Sequence, residues 1–124
     1  MAKKSRVLVV EDEILIRMLA VDMLSDFGYE SDEAGTAAEA MQMLGAAGAD
    51  YALVFLDIGL PDKRGDELIK DIRGLGAKIP LLVASGEDEN ALAGRLKSFA
   101  PIGFLGKPYD PGRLRTALQG LKLA

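Results

Sequence analysis

Five times along this chain a short apolar run gives way to a segment with helical spacing, and that alternation restricts the fold more than any other feature. Strand-length runs separated by helix-length segments need crossover connections, which give a parallel sheet with helices on both faces. The runs fall at 6–10, 29–34, 51–56, 80–84 and 102–105, the second being the weakest. The third reads Ala52-Leu53-Val54-Phe55-Leu56 without alternation, as a central strand buried on both faces would, and leads straight into Asp57. Between the runs, Ile16, Leu19, Ala20, Met23, Leu24 and Phe27 make a stripe at helical spacing that Gly28 ends. Thr36 can cap a second helix through Ala37, Ala40, Met41 and Leu44 to the 45–48 region. A third helix is expected from about Gly65 through Leu68, Ile69 and Ile72 to Gly74, with Gly76 in its exit turn. A fourth carries Ala91, Leu92, Leu96 and Phe99, and a fifth Leu114, Ala117, Leu118 and Leu121. Gly94 weakens the fourth helix by roughly 1 kcal/mol relative to alanine. With the flexible Gly86 before it, the stretch 85–97 is expected to have low local stability and to be the moving part.

A chain of 124 residues suits a single domain, 1–124 with a core over about 5–122, and leaves no room for a second folded output module. The net charge of -4 and pI near 4.8 give no general attraction to phosphate backbones or anionic lipid, so neither nucleic acid nor a membrane is expected as a partner. There is no cysteine, hence no disulfide framework and no thiolate nucleophile or metal site, which fits a reducing compartment. There is no histidine either, which removes imidazole as a base, as a ligand and as a phosphorylation site. After Met1-Ala2-Lys3-Lys4 only Val7 to Val10 are apolar before Glu11, too short for a signal peptide or a membrane span. A cytoplasmic domain is expected.

In open parallel sheets the functional groups gather beyond the carboxyl ends of the strands. Polar residues follow four of the five runs: Glu11 and Asp12 after the first, Asp57 after the third, Ser85 after the fourth and Lys107 after the fifth. Singly, each has an ordinary structural explanation, as helix-start acids, a loop acid before a proline turn, a turn hydroxyl and a surface lysine. Together at one sheet edge they make a chemistry. Three close carboxylates repel one another, and a hard divalent cation, Mg2+ before any soft metal, relieves that repulsion. Aspartate can attack phosphorus if the phosphoryl oxygens are neutralised, by the metal, by a lysine ammonium and by a hydroxyl hydrogen bond.

The whole chain resembles a response-regulator receiver domain. The resemblance rests on Val7-Leu8-Val9-Val10-Glu11-Asp12-Glu13, on Leu56-Asp57-Ile58-Gly59-Leu60-Pro61-Asp62 with Gly65, on Ala84-Ser85-Gly86 and on Phe104-Leu105-Gly106-Lys107-Pro108, a highly specific set. It implies a flavodoxin-like (βα)5 three-layer sandwich with strand order 2-1-3-4-5. It also implies Mg2+ held by Glu11, Asp12, Asp57 and the Gly59 carbonyl, a phosphoryl group accepted on Asp57, and Ser85 and Phe104 as switch positions beside Lys107. The implied partner is a histidine kinase or histidine phosphotransfer protein, with a downstream protein reading the surface between the fourth and fifth helices. The implied role is a stand-alone phosphorylation switch, shuttle or phosphate sink, a monomer or weak dimer. It is a phosphoacceptor, not an enzyme, with self-catalysed phosphotransfer and autodephosphorylation. Ala-Ser-Gly is similar to the Phe-Ala-Thr-Gly stretch of an alphaproteobacterial receiver subgroup, but Glu87-Asp88-Glu89 stands where that subgroup has an aromatic-glycine pair. Phe104 lacks the hydroxyl of the usual tyrosine alternative, so its coupling to Ser85 is expected to act through packing.

Other readings account for less. A Mg2+-dependent hydrolase with an aspartate nucleophile would need a second carboxylate as acid and base, and Asp57-Ile58-Gly59 lacks it. A phosphorylation-independent binding module would tolerate Asp57→Ala. A dinucleotide-binding domain would need glycines where Glu11-Asp12-Glu13 stands.

Overall fold

The structure, a computed structural model, describes residues 6–46, 50–76 and 78–123. Five strands, β1 (Arg6–Val10), β2 (Glu30–Ala34), β3 (Leu53–Asp57), β4 (Leu81–Ser85) and β5 (Ile102–Gly106), alternate with five helices. These are α1 (Ile14–Asp26), α2 (Ala37–Gly45), α3 (Gly65–Gly74), α4 (Glu89–Leu96) and α5 (Pro111–Gly120), with a 3-10 turn at Lys97–Phe99 continuing α4. The sheet is parallel throughout in the order β2-β1-β3-β4-β5, the flavodoxin-like order. The expected amino terminus at Met1 to Lys4, Ser5 of the expected core, and the 47–48 end of the second helix lie outside the described residues. No helix among those described is long and apolar enough to cross a membrane.

Two apolar layers sandwich the sheet. One packs Leu8, Val54, Leu56, Leu81 and Val83 against α2, α3 and α4 through Ala40, Leu68, Ile69, Ile72, Leu92 and Leu96. The other packs Val7, Val9, Leu53, Phe55, Leu82 and Ala84 against Ala20 and Leu24 of α1 and Leu114 and Leu118 of α5. Alternate residues of each central strand thus serve opposite layers, which is why the runs show no polar alternation.

Three details refine the sequence reading. β3 begins at Leu53, so Asp57 is its last residue and shares the register of Ala84 on β4. Ala52 only donates its N–H to the Arg6 carbonyl, and the Tyr51 hydroxyl donates to Asp32 at 2.7 Å. Gly28 takes the left-handed conformation, φ 89°, that ends α1 as anticipated. The α1 stripe is only partly a core face: Ala20 and Leu24 are buried, but Leu19 is 56% exposed, with Ile14, Leu15 and Met18 also in solvent. α1 is apolar around its circumference, and periodicity does not reveal which side the sheet covers.

The edge strand β2, Glu30-Ser31-Asp32-Glu33-Ala34, is held through charge. The Arg6 guanidinium reaches Glu30 at 2.8 Å and also pairs with Asp32, while Arg17 reaches Glu33 at 3.0 Å.

Candidate functional site

The strand ends converge as their register requires. The Glu11 N–H donates to the Ala34 carbonyl at 3.0 Å, and its own carbonyl accepts from Arg17 Nη1 at 2.7 Å, which fixes the turn out of β1. Its carboxylate accepts the Glu13 N–H at 3.2 Å. Glu11, Asp12 and Asp57 each offer a carboxylate oxygen, all within 4.8 Å of one another. Glu11 and Asp57 are buried and Asp12 is exposed, so the cluster opens to solvent on one side.

Lys107 is drawn into this group. Its N–H donates to the Ser85 carbonyl at 2.8 Å, and its Nζ lies 3.1 Å from Asp57 Oδ1 and 3.2 Å from Glu11 Oε1. Burial pushes the Glu11 carboxyl above its ordinary value; the Glu13 N–H works against this and the Asp57 charge adds to it. Burial alone would lower the Lys107 ammonium, but its hydrogen bonds and charge pairing with Asp57 and Glu11 outweigh that and raise it. One ammonium thus offsets part of the charge of three carboxylates.

Ser85 is fully buried at the end of β4, and its Oγ accepts the Glu87 N–H at 2.9 Å, leaving the hydroxyl proton for another acceptor. Gly59 lies close enough to Asp57 that an added Cβ would sit 3.9 Å from Oδ2. The loop that carries it is anchored twice. The Gly65 N–H donates to the Ile58 carbonyl at 2.7 Å, and a Cβ on Gly65 would lie 2.7 Å from Ile58 Cα, so only glycine fits there. Asp62 accepts the N–H groups of Ala37 and Ala38, at 2.9 and 3.0 Å, beside the Thr36 cap on Glu39, which ties the loop to the start of α2. Phe104, partly buried on β5, pairs in register with Val83 and lines a hollow of about 220 Å³ with Glu89, Arg113, Thr116 and Ala117.

The sequence reading missed several residues of this neighbourhood. Tyr109 packs its ring on Phe55, centroids 5.5 Å apart, and lines a void of about 10 Å³ with Glu11 and Asp57, room for one water. Burial, then the Glu11 charge, pushes its hydroxyl up to about 12. Arg64, Asp66, Glu87 and Arg95 form a ring of ion pairs 2.6 to 3.4 Å long that ties the loop after β4 to α3 and α4. The pairs made by Glu87 and Arg95 lie on the stretch 85–97, for which low local stability is expected. Only the cluster of charge around positions 87–89 hinted at this.

A parallel sheet carrying an acid pair, a buried aspartate, a hydroxyl and a lysine at its carboxyl edge defines a phosphoacceptor domain of the flavodoxin-like class. The family model described as response regulator receiver domain matches residues 7–119, and the chain belongs to that family. It is 30% identical over 114 residues to the chemotaxis protein CheY of Thermotoga maritima, covering 91% of this chain and 93% of that protein. It is 34% identical over 113 residues to the sensor kinase CckA of Brucella abortus, and 39% identical over 118 residues to the transcriptional regulatory protein PmrA of Pectobacterium parmentieri. The matches cover 91% and 94% of this chain but only 12% and 51% of those two proteins. Among solved structures, the chemotaxis protein CheY4 of Vibrio cholerae superposes with a TM-score of 0.84 at 29% identity, over 96% of this chain and 99% of that one. A CheY-like receiver domain protein from Methanospirillum hungatei gives 0.83 at 25% identity, over 98% and 94%. Receiver domains are phosphoacceptor switches of two-component signalling, use Mg2+ and interact with histidine kinases or phosphotransfer proteins.

Proposed function

We propose that this chain is one receiver domain whose phosphoacceptor is Asp57. The observation that carries the assignment is the Lys107 ammonium lying within 3.2 Å of both Asp57 and Glu11, with Asp12 in the same oxygen cluster. No sulfur or imidazole is offered, so the donor set suits a hard cation that keeps some of its waters. Glu11, Asp12, Asp57 and the Gly59 carbonyl would hold Mg2+, which when bound supplies positive charge to the phosphoryl oxygens.

A carboxylate oxygen of Asp57 attacks the phosphorus of a phosphohistidine on the donor protein. The new O–P bond forms as the P–N bond breaks, and the electron pair returns to the donor imidazole, which takes a proton from solvent. Lys107 pairs with one phosphoryl oxygen, and the Ser85 hydroxyl turns its proton to another while still accepting the Glu87 N–H. Autodephosphorylation by water follows from the same open side. The donor docks on α1, where exposed Ile14, Leu15, Met18 and Leu19 run toward an apolar hollow of about 300 Å³ lined by Ile16, Leu19, Met23, Lys107, Pro108 and Tyr109. A downstream partner reads the face of α4, β5 and α5 around Phe104. The cysteine-free composition supports a cytoplasmic setting.

Incubation with candidate histidine kinases or a small phosphodonor plus Mg2+ tests this by intact mass. One phosphoryl group is expected, released by base and absent in Asp57→Asn; an Asp57→Asn protein that gains the full label refutes the assignment.

A further inference from the structure

Glu89, the last of the acidic triplet Glu87-Asp88-Glu89, takes part in no step above, yet it reaches across the fold. Glu89, the first residue of α4, accepts the Gly106 N–H on Oε1 at 2.8 Å. The same oxygen pairs with Arg113 Nη2 of α5 at 3.3 Å, and Arg113 Nη1 donates to the Pro108 carbonyl at 3.1 Å. The residue between Gly106 and Pro108 is Lys107, whose own N–H is taken by the Ser85 carbonyl. Three successive residues are thus gripped at the backbone, by α4, by β4 and by α5. The approach is close: a Cβ on Gly106 would sit 3.2 Å from both Glu89 Oε1 and Arg113 Nη2.

We propose that Glu89 and Arg113 are positioning residues for Lys107, a clamp on the backbone of 106–108 that sets where its ammonium meets the Asp57 and Glu11 oxygens. A lysine side chain has four rotatable bonds, so its tip is placed no better than its backbone allows. The clamp is directional: residue 89 must accept from an N–H and residue 113 must donate to a carbonyl. Its jaws stand on α4 and α5, so a shift of Lys107 toward an arriving phosphoryl group is passed to both helices.

The inference rests on the reading that Lys107 contacts the phosphoryl group. The test measures Asp57 phosphorylation by acetyl phosphate, together with the Mg2+ affinity of the unphosphorylated protein, in folded variants. Glu89→Ala and Arg113→Ala are each expected to slow phosphorylation about fivefold, the size of one lost hydrogen bond, while Mg2+ affinity stays within about twofold. Glu89→Gln keeps an acceptor and recovers most of the rate. The exchanged double variant E89R/R113E restores the ion pair but neither backbone bond, so it stays slow. If Glu89→Ala does not fold, Glu89→Gln against Glu89→Met, similar in length, asks the same question. Wild-type rates in both alanine variants, or full recovery in the exchanged pair, overturn the clamp. Lys107→Ala run alongside separates the two failures: a wild-type rate there overturns the reading of the site and the clamp with it, whereas a slow Lys107→Ala beside fast Glu89 and Arg113 variants overturns the clamp alone.

Discussion

Asp57→Asn is expected to make the metal-free protein more stable, although it removes an ion pair. The two like-charge pairs, Asp57 with Glu11 and with Asp12, have oxygens no more than 4.8 Å apart. Each repels by about 0.9 kcal/mol in a water-like medium and about 3.5 kcal/mol at an effective dielectric of about 20. Against them, Lys107 Nζ at 3.1 Å attracts Asp57. That attraction is about 1.3 and about 5.4 kcal/mol over the same range. The balance leaves the Asp57 charge unfavourable by about 0.4 to 1.6 kcal/mol, and its burial adds to that sign. Solvent around the exposed Asp12 favours the lower figure. For a domain of this size the gain raises Tm by roughly 2–6 °C. Mg2+ at ten times its Kd adds about 1.4 kcal/mol to wild type and less to Asp57→Asn, and sodium chloride at equal ionic strength adds less than Mg2+. Thermal melts in chelator, in Mg2+ and in the sodium control measure all of this. If Asp57→Asn melts below wild type in chelator, or Mg2+ does no more than sodium, the three carboxylates do not act as one site.

Three further outcomes follow from the same geometry. Lys107→Ala leaves the carboxylates unopposed and is expected to lower metal-free stability by about 2 kcal/mol in denaturant melts, while Mg2+ binds at least as tightly because the ammonium no longer competes for its oxygens. Glu11 has its carboxyl raised above 4.5 in the folded state, so the fold holds that proton more tightly than the unfolded chain. Stability contributed by Glu11 therefore rises as pH falls through its folded value and is fully present below the unfolded value of 4.5. The Tm deficit of wild type against Glu11→Gln is largest at neutral pH and closes on acidification; a deficit independent of pH contradicts the raised value. Gly65→Ala forces a methyl against Ile58 Cα at 2.7 Å and is expected to cost about 1–3 kcal/mol and to weaken Mg2+ binding, read by melts and metal titration.

Much of this was legible in the residues because the sheet writes itself as buried runs. β1 has the bounds its apolar run predicts, and the acid pair, Asp57, Ser85 and Lys107 stand at the strand ends where open sheets gather polar groups. The outward face of α1 was not legible, since its apolar residues surround the helix and only tertiary contact decides which are covered. Nor were the grips of Glu89 on Gly106, of Asp62 on α2 and of the ring around Arg95. The bonds Glu89 to Gly106, Asp62 to Ala37 and Arg95 to Asp66 join positions 17 to 29 residues apart and leave no periodic trace. The local glycines at 86 and 94 pointed to looseness, while the ion pairs that Arg64, Asp66 and Arg113 make with the same stretch come from other elements.

The charged edge strand β2 has a consequence for how copies of this protein meet one another. An open sheet edge is a template for adding a strand from another molecule, and aggregation starts from such templates. Here a newcomer would have to settle beside Glu30, Asp32 and Glu33, whose countercharges Arg6 and Arg17 lie on the inner side. The protection is only as good as the ionisation of those acids. Replacing Glu30 and Glu33 by glutamine would leave the same backbone edge without that charge, and self-association of such a variant is the consequence the edge strand now holds off.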